Sequence, residues 1–233
     1  MYVRLKHTLS ALTLEMLAQA PRYRAMAWLL AYARLAPDGG AVSEGALRPA
    51  AARLGTAGPR ALRRLEALGI LQRDDGEVRL APEYLPHRDY FTRQVLRLGS
   101  ALRDLDRRKG GDRRTLPLRR GIALFNAGLF FECHELLEDV WRATAGPDRD
   151  FYHGIIQVAA AFYHFEKGNQ HGARTLLAKA MSKLDQCGPR HLGVEVHRLL
   201  ADLRRWRRRF GSSKAGRPLE PGAAPVILVR ATI

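Results

Sequence analysis

At 233 residues and 46% hydrophobic, the chain is long enough to bury a sizeable core, and usual domain sizes favour two modest domains over one large one. Lys and Arg number 39 against 23 Asp and Glu, and the resulting +16 charge favours polyanions such as nucleic acid, although heavy arginine use throughout would give the same number without a partner. Two cysteines, Cys133 and Cys187, exclude a disulfide framework and a cysteine metal knuckle, and the lack of any 18-residue apolar run excludes a membrane span, so a cytoplasmic location with no membrane partner is expected.

In chain order, Tyr2 to Leu5 alternate apolar and polar side chains, and a helix is predicted from about Leu9 to Ala20, closed by Pro21. Tyr23 to Ala36 has helical apolar spacing around Trp28 and stops at Pro37-Asp38-Gly39-Gly40. Ser43 can cap a single turn through Leu47, Pro49 can open a short helix to Leu54, and Gly55 ends it. Pro59 sits in the first turn of another helix, RALRRLEAL, which Gly69 terminates. Ile70 to Arg73, the Asp74-Asp75-Gly76 turn and Glu77 to Leu80 read as a two-stranded hairpin.

Three helices followed by a hairpin resemble the winged helix-turn-helix domain over roughly residues 22–82, a likeness of pattern that rests on no diagnostic motif. The resemblance implies that the third helix enters the major groove and the hairpin, or wing, meets the backbone. On that helix Ala61, Leu62, Leu65 and Leu68 are expected in the core, and Arg60, Arg63 and Arg64 outside. Guanidinium forks suit phosphates and guanine edges, so these three and Arg73 on the wing are the candidate nucleic-acid-binding residues. A solvated helix face, or a winged helix used for dimerisation, is the plainer alternative. A further helix is predicted from Tyr90 to Leu105, and DRRKGGDRR, Asp106 to Arg114, is too charged and glycine-rich to bury anything and reads as a basic linker.

Beyond Leu116 helix follows helix: Leu118 to Ala127, Leu129 to Ala143, Asp150 to Lys167, Gly172 to Cys187 and His191 to Phe210. Short turns between them predict an antiparallel bundle of about five. Gly128, Cys133, Leu136, Leu137 and Val140 recur 40 residues later as Gly168, Ala173, Leu176, Leu177 and Ala180, with Gly121 matching Ala161, a spacing similar to tetratricopeptide hairpins. The helix with Ile155, Ile156, Val158, Phe162 and Phe165 is apolar nearly all round and is expected to be the buried centre. LRRWRRR, residues 203–209, sets five arginines around Trp206, either a solvated helix end or a second phosphate-binding surface. The tail, 211–233, is Pro- and Gly-rich up to Val226-Ile227-Leu228-Val229, which docks as a strand or trails.

The densest chemistry is FNAGLFFECHELLEDVW, Phe125 to Trp141. On a helical wheel Cys133, Leu136, Leu137, Val140 and Trp141 make an apolar arc, His134 and Glu138 border it, and Glu132, Glu135 and Asp139 fall on the remaining face. Gln157 and His164 share a polar stripe on the central helix, so His134, Glu138, Gln157 and His164 are expected to meet as a network, with Trp141 a core anchor and His153 exposed. Glu132, His134, Glu135 and Glu138 with His164 are also the residue types of a carboxylate-histidine metal site, but the sequence lacks Glu-x-x-His on this helix and His-Glu-x-x-His. No metal or other cofactor is expected, and no catalytic residue is assigned, because no nucleophile or cofactor fingerprint accompanies the cluster.

Together, FNAGLFFECHELLEDVWR, FYHGIIQVAAAFYHFEKGN and GARTLLAKA resemble the prokaryotic helical family catalogued as domain of unknown function 309, over about residues 117–210. That resemblance implies an all-helical bundle and assigns no activity. The expected architecture is therefore mainly α: a winged helix-like domain (1–95), a helix and basic linker (96–116), a helical bundle (117–210) and a tail (211–233). The expected function is binding of duplex DNA through the winged helix, with the bundle dimerising or sensing a small ligand. A metal-dependent or acid-base enzyme centred on the bundle, and a peptide-holding scaffold, are the alternatives.

Overall fold

The computed structural model describes residues 1–18, 24–55, 58–107, 112–212, 216–217, 219 and 223–229. The chain is mainly helical with one small sheet, and it divides into two compact units, Met1–Ser100 and Ala101–Ile233. Arg108 to Gly111, the middle of the expected linker, lie outside the described residues.

In the first unit α1 (Tyr2–Ala18) is one continuous helix, which corrects the expected extended start. Leu5, Leu9, Leu12 and Met16 are buried at spacings of four, three and four, a helical stripe that begins inside the apparent alternation. α2 (Arg24–Leu35) is buried from Ala25 to Ala33, with Trp28, Leu29 and Tyr32 fully enclosed, and packs on α3 (Glu44–Ala52) and α4 (Pro59–Ala67). The two short helices expected around Pro49 are one helix: Ser43 caps it through the amide of Ala46, and Pro49, inside the helix, removes one backbone bond without ending it.

Strands β2 (Leu71–Asp74) and β3 (Glu77–Leu80) form the expected hairpin, with Asp75 (φ 47°) and Gly76 (φ 76°) both left-handed, as a two-residue hairpin turn requires. A third strand, β1 (Val42–Ser43), pairs antiparallel with β3, so the sheet has the order β1-β3-β2 and the two-stranded expectation is corrected. Two residues that double as a helix cap carry no period-two signal. After the sheet, a 3-10 turn (Pro82–His87) leads into α5 (Arg88–Arg107).

Tyr32 ties α2 to this sheet: its hydroxyl donates to the Gly40 carbonyl at 2.8 Å and accepts the Leu80 amide at 2.6 Å. Burial pushes the phenol up to about 12, with the Asp38 charge adding and the Leu80 amide opposing. A phenol raised above its ordinary 10 stabilises the fold below pH 10 and loses that contribution as pH rises towards 12. Tyr32→Phe leaves the buried Leu80 N–H without its partner, so it is expected to cost about 1–3 kcal/mol and to remove this alkaline transition, both read from urea unfolding between pH 8 and 11.5.

The second unit contains α6 (Leu116–Asn126), α7 (Phe130–Arg142), α8 (Pro147–Glu166), α9 (Gln170–Asp185) and α10 (Val196–Ser212), each packed on the next. The ring pairs Phe131–Tyr163 (5.5 Å) and Trp141–His153 (4.9 Å) run in opposite chain directions, which makes α7 and α8 antiparallel. The 40-residue repeat is visible in the turns: Gly128 (φ 82°) and Gly168 (φ 80°) are both left-handed C-terminal stops. α10 begins five residues later than expected, because Leu192 (φ 43°) and Gly193 (φ 80°) close a turn that pairs His191 with Val194.

The centre is aromatic. Phe162 meets Phe125 (5.5 Å), Phe130 (5.4 Å), Trp206 (5.0 Å) and Phe210 (5.2 Å). Val226 to Val229 form no regular strand; the segment docks through buried Ile227, whose amide and carbonyl are both bonded by the side-chain amide of Asn126 at 2.9 and 3.0 Å.

Candidate functional site

Helix α7 starts at Phe130 because Gly128 has turned the chain, and its inward side is Phe130, Cys133 and Leu137. The expected arc is thus rotated: Leu136, Val140 and Trp141 are only half-buried, and Glu132, expected on the outer face, is buried at 4% exposure. Burial pushes the Cys133 thiol strongly up, helped by the Glu132 charge, so this cysteine is an inert core group.

His134 lies between two carboxylates of its own helix, with Nδ1 at 3.1 Å from Glu135 Oε1 and 3.8 Å from Glu138 Oε2. The other Glu138 oxygen accepts from Arg142 at 2.7 Å. One donor atom from each of His134, Glu135 and Glu138 falls within 4.8 Å of the others, in half-exposed positions. Such a set can exchange a proton or hold part of the ligand shell of a divalent cation.

The expected four-residue network is divided into three places. Gln157 Nε2 lies 3.0 Å from His153 Nε2, and His164 Nδ1 lies 2.9 Å from the Asn169 side chain at the α8–α9 turn. No direct hydrogen bond joins His134 or Glu138 to Gln157 or His164 among the described residues. His153 is half-buried, which corrects its expected exposure: its ring lies tilted against Trp141 at an interplanar angle of 45°, and desolvation holds the imidazole below its ordinary range, with Lys183 and Arg149 adding and Asp150 opposing.

Arg149 covers Trp141 from outside at 4.3 Å and donates to the carbonyls of Trp141 (2.9 Å) and Thr144 (3.0 Å), capping the C-terminal end of α7. Trp141 is therefore a rim residue clamped between a guanidinium and an imidazole, where the sequence suggested a core anchor. Its indole N–H and the Gln157 side-chain oxygen are buried with no partner among the described residues. Arg149 had no signal in the sequence, since eight residues and a turn separate it from the tryptophan.

In the first unit, Arg60, Arg63 and Arg64 are exposed on α4, and Ala61, Leu62 and Leu65 are buried. Leu68 is only half-buried, because the helix ends at Ala67. Arg64 is paired with Glu15, and Arg73 is held by Glu44 (3.1 Å) and Glu66 (3.0 Å). The Arg73 guanidinium in turn holds the Glu44 carboxyl below its usual range, ahead of Arg48. Arg60 and Arg63 have no partner among the described residues.

Residues 118–176, from α6 into α9, match the model of the family described as "Domain of unknown function (DUF309)". The protein YpuF of Bacillus subtilis (strain 168), titled uncharacterized, is 38% identical over 74 residues, 30% of this chain and 42% of its own. An uncharacterized protein of Aquifex aeolicus (strain VF5) is 26% identical over 104 residues, 44% of this chain and 30% of its own. The chain thus spans less than half the length of these curated relatives. No solved structure matches it. No helix among the described residues is long and apolar enough to cross a membrane.

Proposed function

We propose that the chain is a two-domain cytoplasmic DNA-binding protein, with a winged helix in the first unit and, in the second, a DUF309 bundle of tetratricopeptide-like hairpins that dimerises or senses a ligand. The observation that supports this reading is the element order α2-β1-α3-α4-β2-β3 with sheet order β1-β3-β2; on a winged-helix reading α4 is the recognition helix, and its Arg60 and Arg63 have no partner among the described residues. Arg64 and Arg73 are already neutralised by carboxylates, which would have to be given up on binding, so the contribution is assigned first to Arg60 and Arg63. Each phosphate contact removed lowers the salt slope of duplex binding by about 0.9. Arg60→Ala/Arg63→Ala is expected to lower it by roughly 2, measured by anisotropy of a mixed-sequence duplex across a salt series. Equal slopes and affinities for the variant and wild type would remove α4 from the interface.

A second reading, divalent metal binding by the bundle, is favoured by the 4.8 Å convergence of His134, Glu135 and Glu138. Metal analysis of purified protein tests it: stoichiometric zinc, manganese or iron that His134→Ala abolishes supports a metal centre, and metal-free protein that takes up none of these ions on titration excludes it.

A further inference from the structure

We propose that a cleft on α9, closed on one side by Arg207 of α10, is a phosphate-binding site. The hollow has a volume of about 690 Å³ and is lined by Gln170, His171, Arg174, Thr175, Ala178 and Arg207. Three of these six side chains are cationic or can become so, two offer further hydrogen-bond donors, and none is a carboxylate.

The pairing pattern around the cleft separates it from a merely solvated face. α9 and α10 carry nine Lys and Arg against two Asp, Asp185 and Asp202. Both Asp are taken by arginines outside the cleft, Arg204 with Asp185 at 3.5 Å and Arg205 with Asp202 at 2.9 Å. His171, Arg174 and Arg207 are left with no ion pair among the described residues. Cations that line one hollow raise the positive potential there, which favours an anion entering it.

The donors fit phosphate better than a simple halide or carboxylate. Two guanidinium forks, on Arg174 and Arg207, can each bind a phosphate through paired oxygens, and the Thr175 hydroxyl adds a single donor. The hollow is larger than one phosphate and falls within the range of sites that hold a small organic molecule. The ligand class is therefore an organic phosphate, either a free small molecule or a unit of a nucleic-acid backbone. The site stands on the second unit alone and does not rest on the winged-helix reading.

The test uses the full chain and two probes at fixed ionic strength: inorganic pyrophosphate followed by calorimetry, and a labelled oligothymidine followed by anisotropy. Arg174→Ala/Arg207→Ala changes two exposed residues, and an unchanged thermal midpoint checks that it folds. Wild type is expected to bind pyrophosphate, weakening roughly tenfold for each arginine removed, and Arg174→Lys/Arg207→Lys is expected to keep part of the affinity. Oligothymidine binding lost in the same variant, with a salt slope smaller by about 0.7 per contact and no pyrophosphate binding, assigns the site to a polymer backbone instead. Wild type that binds neither probe, or a variant that binds both as wild type does, overturns the proposal. Arg60→Ala/Arg63→Ala is expected to leave pyrophosphate affinity unchanged, which keeps failure of the cleft distinct from failure of α4.

Discussion

Phe162→Ala is expected to destabilise the second unit by about 3–5 kcal/mol, the largest single-residue effect anticipated for it. Phe162 is fully buried and is the shared neighbour of Phe125, Phe130, Trp206 and Phe210, so truncation opens a cavity bordered by four rings from three other helices. Those rings cannot close the gap easily, because Phe165 already stacks on Phe210 at 4.6 Å and an interplanar angle of 14°. Phe131→Ala is the control: Phe131 is half-buried against Tyr163 at the edge of the same two helices, and less than half the loss is expected. Urea unfolding of both variants decides the matter, and equal losses would mean that the aromatic centre does not dominate the unit.

The second large effect is conditional. A Cβ added at Gly121 would stand 2.6 Å from Leu137 Cγ and Cδ2, inside any contact that real side chains make. Leu137 is fully buried and has nowhere to go, so Gly121→Ala is expected to cost about 1–3 kcal/mol despite the better helix propensity of alanine. Leu137→Ala alone is expected to cost about 2–5 kcal/mol. In the Leu137→Ala background the obstruction is gone, and Gly121→Ala should turn neutral or stabilise by up to about 1 kcal/mol. The reversal of sign in this double-mutant cycle is the readout, and strict additivity would show that the two helices do not meet as closely as Gly121 and Leu137 indicate.

The helices were legible wherever a stripe of apolar residues could be read at helical spacing, and the matched glycines 128 and 168 announced two turns that the structure places in the same backbone region. Features held by partners distant in sequence were not legible. Strand β1 exists because Val42 faces Val78, and the Tyr32 hydroxyl is positioned by Gly40 and Leu80, 8 and 48 residues away. At the candidate site, the residue types around His134 were evident, whereas their partners were not. A wheel drawn for one helix carries no information on where its neighbours stand, so it puts Glu132 outside and Trp141 inside, and a wheel for α8 leaves His153 in solvent, against the burial found. The phosphate cleft was only partly foreshadowed: the arginines of residues 203–209 were noticeable, but Trp206 among them is buried, and only Arg207 reaches the hollow built by α9.

The double hydrogen bond between Asn126 and Ile227 also bears on the order in which the molecule is made. A ribosome delivers Asn126 at the end of α6 long before Ile227 emerges, and domains generally begin to organise as they leave the tunnel. During that interval the carboxamide faces water with both its donor and its acceptor free, and α6 to α9 can pack by successive local closures that need little loop entropy. The clasp across 101 residues comes afterwards, as a late latch that carries the same chain around the finished helices. A chain truncated before residue 227 would therefore keep α6 to α10 but lack this clasp, and a lower unfolding midpoint than the full chain's would report what the latch contributes.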